Sequence, residues 1–189
     1  MVELLLALLI YQQPSADPLD EALIREATFR CIHAKDRSKA PVLRALLDVE
    51  RKVGIPEYAR GITLVAACRE SGFNPVPRRG DGGRAAGMLQ WWPWWAEKYG
   101  FDREEQPITG VHATLTHVMK AIPRAKRMCG KSRAFFYAYV WVMSGPRGWK
   151  CRYNRHVRRA IKWKWFASRR ESPSNHNATH PRQLRHGSR

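Results

Sequence analysis

Acidic charge is scarce in the second half of this sequence. Of the 16 Asp and Glu residues, only Glu171 lies after residue 106, whereas 19 of the 34 Lys and Arg residues do. The formal net charge of +18 therefore belongs to residues 107–189, and residues 1–106 are neutral as a block. Such a basic block indicates a polyanionic partner, which could be nucleic acid, anionic lipid or an anionic wall polymer.

Long apolar runs are also missing, since none reaches the roughly 18 residues that a membrane-spanning helix needs. The run LLLALLIY at 4–11, followed by small residues up to Ala16, resembles a secretory signal segment. It has no basic residue before it, so a plain amphipathic helix is the alternative. With 44% hydrophobic residues, the 189-residue chain suits one compact domain with tails and is not wholly disordered.

The four cysteines form no Cys-x-x-Cys pair and have no zinc-site spacing. An even count permits disulfides in three alternative pairings, and four reduced core thiols are the competing interpretation. Cys129 and Cys151 lie in polar contexts that suit a hydrophobic core poorly, so we favour an oxidised, extracytoplasmic protein. We expect Cys129 to pair with Cys151, and Cys31 with Cys68.

Strand signals are sparse, and no internal repeat is present. Apolar periodicity and capping residues predict helices at about 17–35, 38–54, 56–71, 91–99, 107–128, 132–144 and 153–166. Gly and Pro between residues 72 and 87 predict a loop, with at most a small hairpin within 72–90. Residues 167–189 have almost no apolar content and are expected to be a disordered basic tail. The sequence thus predicts a mainly helical domain over 17–166, preceded by an apolar segment at 1–16.

Glu70 is distinguished by its place on an apolar helix. It falls in line with Ile62 and Ala66 on the inward stripe, at the negative end of the predicted helix. Partial burial and the helix dipole both disfavour the carboxylate and predict a raised pKa. A raised pKa suits a general acid working near neutral pH. The alternative is a terminal glutamate that points to water.

The segment around Glu70 resembles the catalytic core of the soluble lytic transglycosylases and goose-type lysozymes. It reads CRESGFNP at 68–75 and GMLQ at 87–90, where those enzymes have Glu-Ser-Gly-Phe-Asn-Pro, a loop and Gly-Leu-Met-Gln. The resemblance implies a lysozyme-like, mainly helical fold with Glu70 as the catalytic acid, and it implies no cofactor and no metal. Residues expected at the substrate are Ser71, Gly87, Met88, Leu89, Gln90, Trp91 and Tyr139.

Two departures from the family pattern bear on the mechanism. The family's downstream Ala-Tyr-Asn-x-Gly motif reads WVMSG here at 141–145, so the Tyr that helps hold the catalytic Glu is missing. Tyr137 or Tyr139 is the candidate to reach the site instead. In addition, Gly80-Asp81 occupies the slot of an Asp in goose-type lysozymes. Asp81 is therefore either the general base of an inverting hydrolase or an ordinary residue of an Asp-Gly-Gly turn.

Aromatic and basic residues are clustered. Four of the eight tryptophans lie at 91–95, and we expect them to be divided between core packing and sugar stacking. Residues 147–170 hold ten Lys or Arg and no acid. They form either a final helix with a solvated basic face or a surface that attracts anionic wall polymer or lipid. The histidines, among them His112, His117 and His156, show no nucleophile or metal arrangement and receive no role.

These observations predict a peptidoglycan lytic transglycosylase that cleaves the β-1,4 bond between N-acetylmuramic acid and N-acetylglucosamine. One alternative is an inverting goose-type lysozyme that uses Asp81. The other is a non-catalytic nucleic-acid-binding or virion structural protein with a degenerate lysozyme-like core. We expect a monomer in the periplasm or cell wall, or associated with a phage. Its expected partners are glycan strands and not a specific nucleic acid.

Overall fold

The computed structural model describes residues 17–31, 36–74, 79–144 and 151–171. Over these ranges the chain is mainly helical and has no β-strand, which confirms the predicted all-α class. The helices are α1 (Pro18–Arg30), α2 (Ala40–Val53), α3 (Ile62–Glu70), α4 (Pro93–Tyr99), α5 (Pro107–Cys129), α6 (Ala134–Ser144) and α7 (Arg155–Glu171). Single 3₁₀ turns lie at Arg37–Lys39, Glu57–Ala59 and Asp81–Gly83. The N-terminal segment at 1–16 and the tail from residue 172 lie outside the described residues.

The predicted helix boundaries are most accurate where proline and glycine mark them. Helix α2 carries a proline in its first turn and ends at Gly54, whose φ of 75° is left-handed. The helix predicted to start at Pro56 begins instead at Ile62, because Gly61, with φ 85°, separates it from a 3₁₀ turn. Helix α7 continues to Glu171, so the expected start of a disordered tail at residue 167 is wrong.

The hairpin predicted within 72–90 is replaced by isolated antiparallel bridges. One pairs Gly80 with Ala85, and the other pairs Ala86 with Trp91. Asp81, Gly82 and Gly83 all have positive φ, at 47°, 67° and 90°. Three consecutive left-handed residues turn the chain too tightly for a continuous ladder, so the loop folds as two short turns placed end to end.

Helix α3 is the centre of the core. Each residue from 62 to 67 is buried, and only its last turn approaches solvent. A helix buried on all sides in this way is held by neighbours around its whole circumference. Helices α1, α2 and α7 all pack against α3. The position of Glu70 at the end of this helix is therefore fixed by packing.

A buried carboxylate from another helix caps α3. The first residues of α3 have no side-chain cap of their own, and Gly61 precedes them. Glu50, fully buried on α2, accepts hydrogen bonds from the backbone N–H of Gly61 at 2.7 Å and of Thr63 at 2.8 Å. It also accepts one from the Thr63 hydroxyl at 2.6 Å. Both carboxylate oxygens are thus used to satisfy donors that burial would otherwise leave without partners.

An ion network extends from this cap. The buried guanidinium of Arg60 lies 3.4 Å from Glu50 and 3.8 Å from Asp17, and it also bonds Asp20. Arg51 donates to the other oxygen of Asp20 at 2.6 Å. Burial of charged groups is costly unless they are paired in this way. The network joins the start of α1 to the C-terminal part of α2 and to the entry of α3.

Both expected disulfides are present, which confirms the predicted pairing. Cys31 at the end of α1 is bonded to Cys68 in α3, with the Cα atoms 6.1 Å apart. Cys129 at the end of α5 is bonded to Cys151, just before α7, with the Cα atoms 5.4 Å apart. The first bond ties α1 to the helix of Glu70, and the second fixes the entry of α7.

Helices α5, α6 and α7 bring later parts of the sequence to the end of α3. Helix α5 packs along α6, and α7 packs against both α1 and α3. Helix α6 buries most of its side chains, including Phe135, Phe136 and Tyr139. In the middle of α7, Lys164 binds the exposed Glu57 at 3.1 Å. The first turn of α7 consequently faces Glu70.

Replacement of Glu50 by glutamine should destabilise the fold. One of the two accepting oxygens becomes an NH₂ group, so a buried backbone donor loses its partner and Arg60 loses a counter-charge. We expect Glu50→Gln to lower the free energy of unfolding by about 2–4 kcal/mol, measured by urea titration. Glu57→Gln, at an exposed ion pair, is the matched control and should change it by less than about 0.5 kcal/mol. Equal effects in the two variants would contradict the capping role of Glu50.

Candidate active site

Glu70 lines a pocket of about 520 Å³ at the end of α3. Separate parts of the chain form its walls: Glu70, Asp81, Leu89–Trp92, Trp94, Trp95, Val142–Ser144 and Asn154–His156. The side chain of Glu70 is 24% exposed, so it is partly shielded from water but open to a ligand. The structure therefore brings the predicted acid Glu70 and the second carboxylate, Asp81, to one pocket.

The close partner of Glu70 is a histidine to which the sequence analysis gave no role. Nε2 of His156, in the first turn of α7, lies 3.0 Å from Glu70 Oε1, and the imidazole is only 8% exposed. The other ring nitrogen, Nδ1, shares a hydrogen bond with the Tyr139 hydroxyl at 3.3 Å. Three helices therefore contribute one side chain each to a continuous polar chain that ends at the pocket.

The pKa of Glu70 is shifted in the opposite direction to the one that the sequence predicts. The contact with His156 holds the pKa of this carboxyl below its ordinary value, and burial acts in the raising direction but does not prevail. The positive charges of Arg155 and Arg69 lower the pKa further. The prediction of a raised pKa was wrong because it considered only α3 itself, whereas α7 supplies the charges that favour the carboxylate.

Gln90 crosslinks the loop on the far side of the pocket. Its Oε1 accepts from the backbone N–H of Gly80 at 2.9 Å, and its Nε2 donates to the carbonyl of Gly87 at 3.2 Å. Arg103 adds hydrogen bonds to the carbonyls of Arg84 and Trp91. The side chain expected to bind substrate thus holds the loop in shape while forming part of the pocket wall.

The tryptophan cluster is divided between core and surface, which agrees with the expected core packing and leaves the expected sugar stacking a prediction. Trp91 and Trp95 are 4% and 7% exposed, and the indole N–H of each points to the hydroxyl of Thr114 on α5, at 3.0 and 3.4 Å. Trp92 and Trp94 are 37% and 55% exposed. All four line the pocket, so its aromatic wall is anchored by two buried rings and presents two exposed ones.

Several residues expected at the substrate do not line this pocket. Ser71 donates its hydroxyl to the carbonyl of Ala67 at 3.1 Å, and Met88 is buried. Tyr139 is buried behind His156 and reaches the pocket only through it. Gly87 is buried against Arg103, and a Cβ there would lie 2.0 Å from the Arg103 carbonyl oxygen. None of these four belongs to the pocket wall formed by the described residues.

The pocket also contains residues that sequence reasoning did not single out. Asn154 caps α7 by accepting from the backbone N–H of Val157 at 3.0 Å, and Arg155 and His156 follow it. Residues 142–144 of α6 complete this wall. A helix-capping Asn two residues before His156 was the available sequence signal, because it places that histidine in the first turn of a helix.

No family model matches the chain, and neither the curated proteins nor the solved structures contain a match to it. Within the described ranges, no three His, Cys, Asp or Glu side chains gather in a way that could hold a metal ion. None of the helices in those ranges combines the length and apolar character needed to cross a membrane.

Gly87 should tolerate alanine far less well than Gly82 in the same loop. Both have positive φ, at 75° and 67°, but a Cβ at Gly82 meets no atom within 4 Å, whereas at Gly87 it meets the Arg103 carbonyl. We expect Gly82→Ala to lower the free energy of unfolding by about 1 kcal/mol from backbone strain alone. Gly87→Ala should lower the free energy of unfolding by clearly more, and it should weaken the binding of any ligand in the pocket. Similar thermal denaturation midpoints for the two variants would contradict this packing of the loop.

Proposed function

We propose that the protein cleaves the glycan strands of peptidoglycan as a lytic transglycosylase with a lysozyme-like fold. The observation that carries this proposal is the position of Glu70. It is the last residue of a buried helix, and it lines a pocket that also contains exposed tryptophans. Aromatic faces of this kind suit stacking on the C–H surfaces of sugars. The resemblance of residues 68–90 to the lytic transglycosylases supplies the same glutamate as the acid.

In the proposed first step, the Glu70 carboxyl donates its proton to the glycosidic oxygen as the bond from that oxygen to muramic C1 breaks. In the second step, the carboxylate takes the proton of the muramic C6 hydroxyl as the O6 atom bonds to C1. The product carries a 1,6-anhydro end, and no water is consumed. A bound sugar would remove water from the exposed part of Glu70 and raise its pKa toward that of a general acid.

A hydrolytic outcome is the second candidate, and the position of Asp81 favours it. This carboxylate lies on the same pocket as Glu70, at an exposed turn with φ 47°. An inverting glycosidase uses a second carboxylate to activate a water on the opposite face of the sugar. The two outcomes therefore differ in whether the Asp81 carboxylate is needed.

Substitution of the two carboxylates separates these outcomes. Glu70→Gln should abolish cleavage of purified peptidoglycan, because the amide has no proton to donate. If the reaction is transglycosylation, Asp81→Asn should keep most of the activity and the products should carry 1,6-anhydromuramoyl ends by mass spectrometry. If it is hydrolysis, Asp81→Asn should cost about a hundredfold, the scale of a lost general base.

Glu97→Gln, at an exposed site on α4, is the matched control and should leave the rate unchanged. A Glu70→Gln variant that keeps more than a tenth of the wild-type rate would contradict the proposed acid. Absence of cleavage by the wild-type chain would favour the non-catalytic alternative.

We also propose that the basic face of α7 attracts the anionic polymers of the wall. Arg158, Arg159 and Lys162 are exposed on this helix. Two other cations of α7 have different positions, because Arg155 lines the pocket and Lys164 binds Glu57. Since peptidoglycan lies outside the cytoplasmic membrane, the proposed function and the two disulfides together support an extracytoplasmic or phage-associated location.

Neutralising this face should weaken wall binding without changing the chemistry. We expect a variant with Arg158→Gln, Arg159→Gln and Lys162→Gln to bind purified walls less tightly in a sedimentation assay, with a weaker salt dependence than the wild type. Cleavage of short soluble glycan oligomers should be unchanged. A variant with Lys126→Gln, Arg127→Gln and Lys131→Gln removes the same charge from exposed positions elsewhere. Equal loss of wall binding in both variants would indicate that net charge, and not the α7 face, attracts the wall.

A further inference from the structure

The polar chain from Tyr139 through His156 to Glu70 crosses the interior between three helices. Tyr139 is 1% exposed and the side chain of His156 is 8% exposed, so both partners are largely shielded from water. The distances are 3.3 Å from Tyr139 Oη to His156 Nδ1 and 3.0 Å from His156 Nε2 to Glu70 Oε1. The first link is a hydrogen bond, and the second is a close polar contact in which the Nε2–H direction is off the line to Glu70 Oε1. The open end of the chain is the carboxyl that faces the pocket.

In the first link the Tyr139 hydroxyl is able to donate to His156 Nδ1. Burial, together with the negative charges of Glu70 and Glu50, raises the pKa of Tyr139, so the hydroxyl keeps its proton. If that proton is donated to Nδ1, a neutral imidazole must carry its own proton on Nε2. The Nε2–H group is the one that lies against Glu70. Tyr139 thereby selects the tautomer of His156 that donates to the carboxyl.

The charged groups around Glu70 come from several elements. Arg69 precedes it on α3, Arg155 faces it from α7, and Asp81 lies on the same pocket from the loop. Of these groups and His156, it is the histidine contact that lowers the pKa of Glu70 most. Substitution of His156 is therefore expected to shift the pKa of Glu70 more than substitution of Arg155 does.

We propose that His156 is a positioning residue, which is held by Tyr139 and fixes the orientation of the Glu70 carboxyl through its Nε2–H group. This inference rests on the proposed function for its catalytic meaning, because it concerns the same glutamate. In this chain the role of the family's missing Tyr is divided between a tyrosine of α6 and a histidine of α7. The carboxylate that remains after proton donation is then stabilised in one orientation, ready to act as a base.

The first test needs no substrate. The side-chain carboxyl carbon of Glu70 is titrated by ¹³C NMR in the full-length protein. In His156→Leu the pKa of Glu70 should rise, because the contact that lowers it most is gone. In His156→Gln the rise should be smaller, since the amide N–H can donate from nearly the same place as Nε2. Tyr139→Phe should raise it as well, because His156 is then free to change tautomer.

The molecule contains a matched control for these variants. The Tyr99 hydroxyl and His117 Nδ1 are 2.9 Å apart on another face, in a pair that resembles Tyr139 and His156 but lies away from Glu70. Tyr99→Phe and His117→Gln should leave the titration of Glu70 unchanged. These two variants report what loss of a half-buried tyrosine–histidine hydrogen bond does to the fold alone.

The second test is kinetic and uses soluble glycan oligomers. His156→Leu should lower kcat by about ten- to a hundredfold with little change in KM, because orientation and not binding is lost. His156→Gln should restore much of this loss. The alkaline limb of the kcat/KM profile should move to higher pH in His156→Leu, since a raised pKa keeps Glu70 protonated up to a higher pH. Loss of stability alone would not move that limb.

The outcomes separate the inference from the proposed function. An unchanged Glu70 titration in His156→Leu overturns the inference, and so does an unchanged kcat in an active enzyme. A raised Glu70 pKa in a chain that cleaves no glycan supports the contact and overturns only the proposed function. If His156→Leu does not fold, His156→Gln and Tyr139→Phe preserve side-chain shape and carry both tests.

Discussion

The fold depends on the burial of α3, and that burial depends on a carboxylate from α2. A helix with no exposed face leaves its first backbone N–H groups without water, so they need acceptors within the protein. Glu50 supplies both of its oxygens to Gly61 and Thr63, and Arg60 balances the charge. Once the start of α3 is fixed in this way, its last residue, Glu70, has a defined place at the pocket.

The pocket combines this rigid helix end with a loop that is held by its own side chains. Gln90 joins the two short turns, and Gly87 permits the close approach of Arg103. The loop therefore does not need a continuous β-ladder to keep Asp81 and the tryptophans in place. The disulfide between Cys129 and Cys151 fixes the opposite wall at the entry of α7.

The electrostatics of the pocket come from parts of the chain that are distant in sequence. Glu70 lies in the part of the sequence with balanced charge, but His156 and Arg155 belong to the basic half. Their approach lowers the pKa of the carboxyl, whereas the helix dipole and burial alone would raise it. The excess of positive charge in the second half thus acts on the candidate site itself as well as on the surface.

The sequence alone determined the helical class, the prolines and glycines that bound α2 and the place of Glu70 at a helix end. Each of these follows from local chemistry, such as apolar periodicity, left-handed glycines or residue type in context. It did not determine the partner of Glu70, the sign of its pKa shift, or the structural use of Gln90 and Tyr139. Those features depend on which side chains meet across helices, and only the packing of α6 and α7 against α3 decides that. Local pattern specifies where an element begins and which face is apolar, whereas the energy of a buried polar group is set by the neighbours that the tertiary fold supplies.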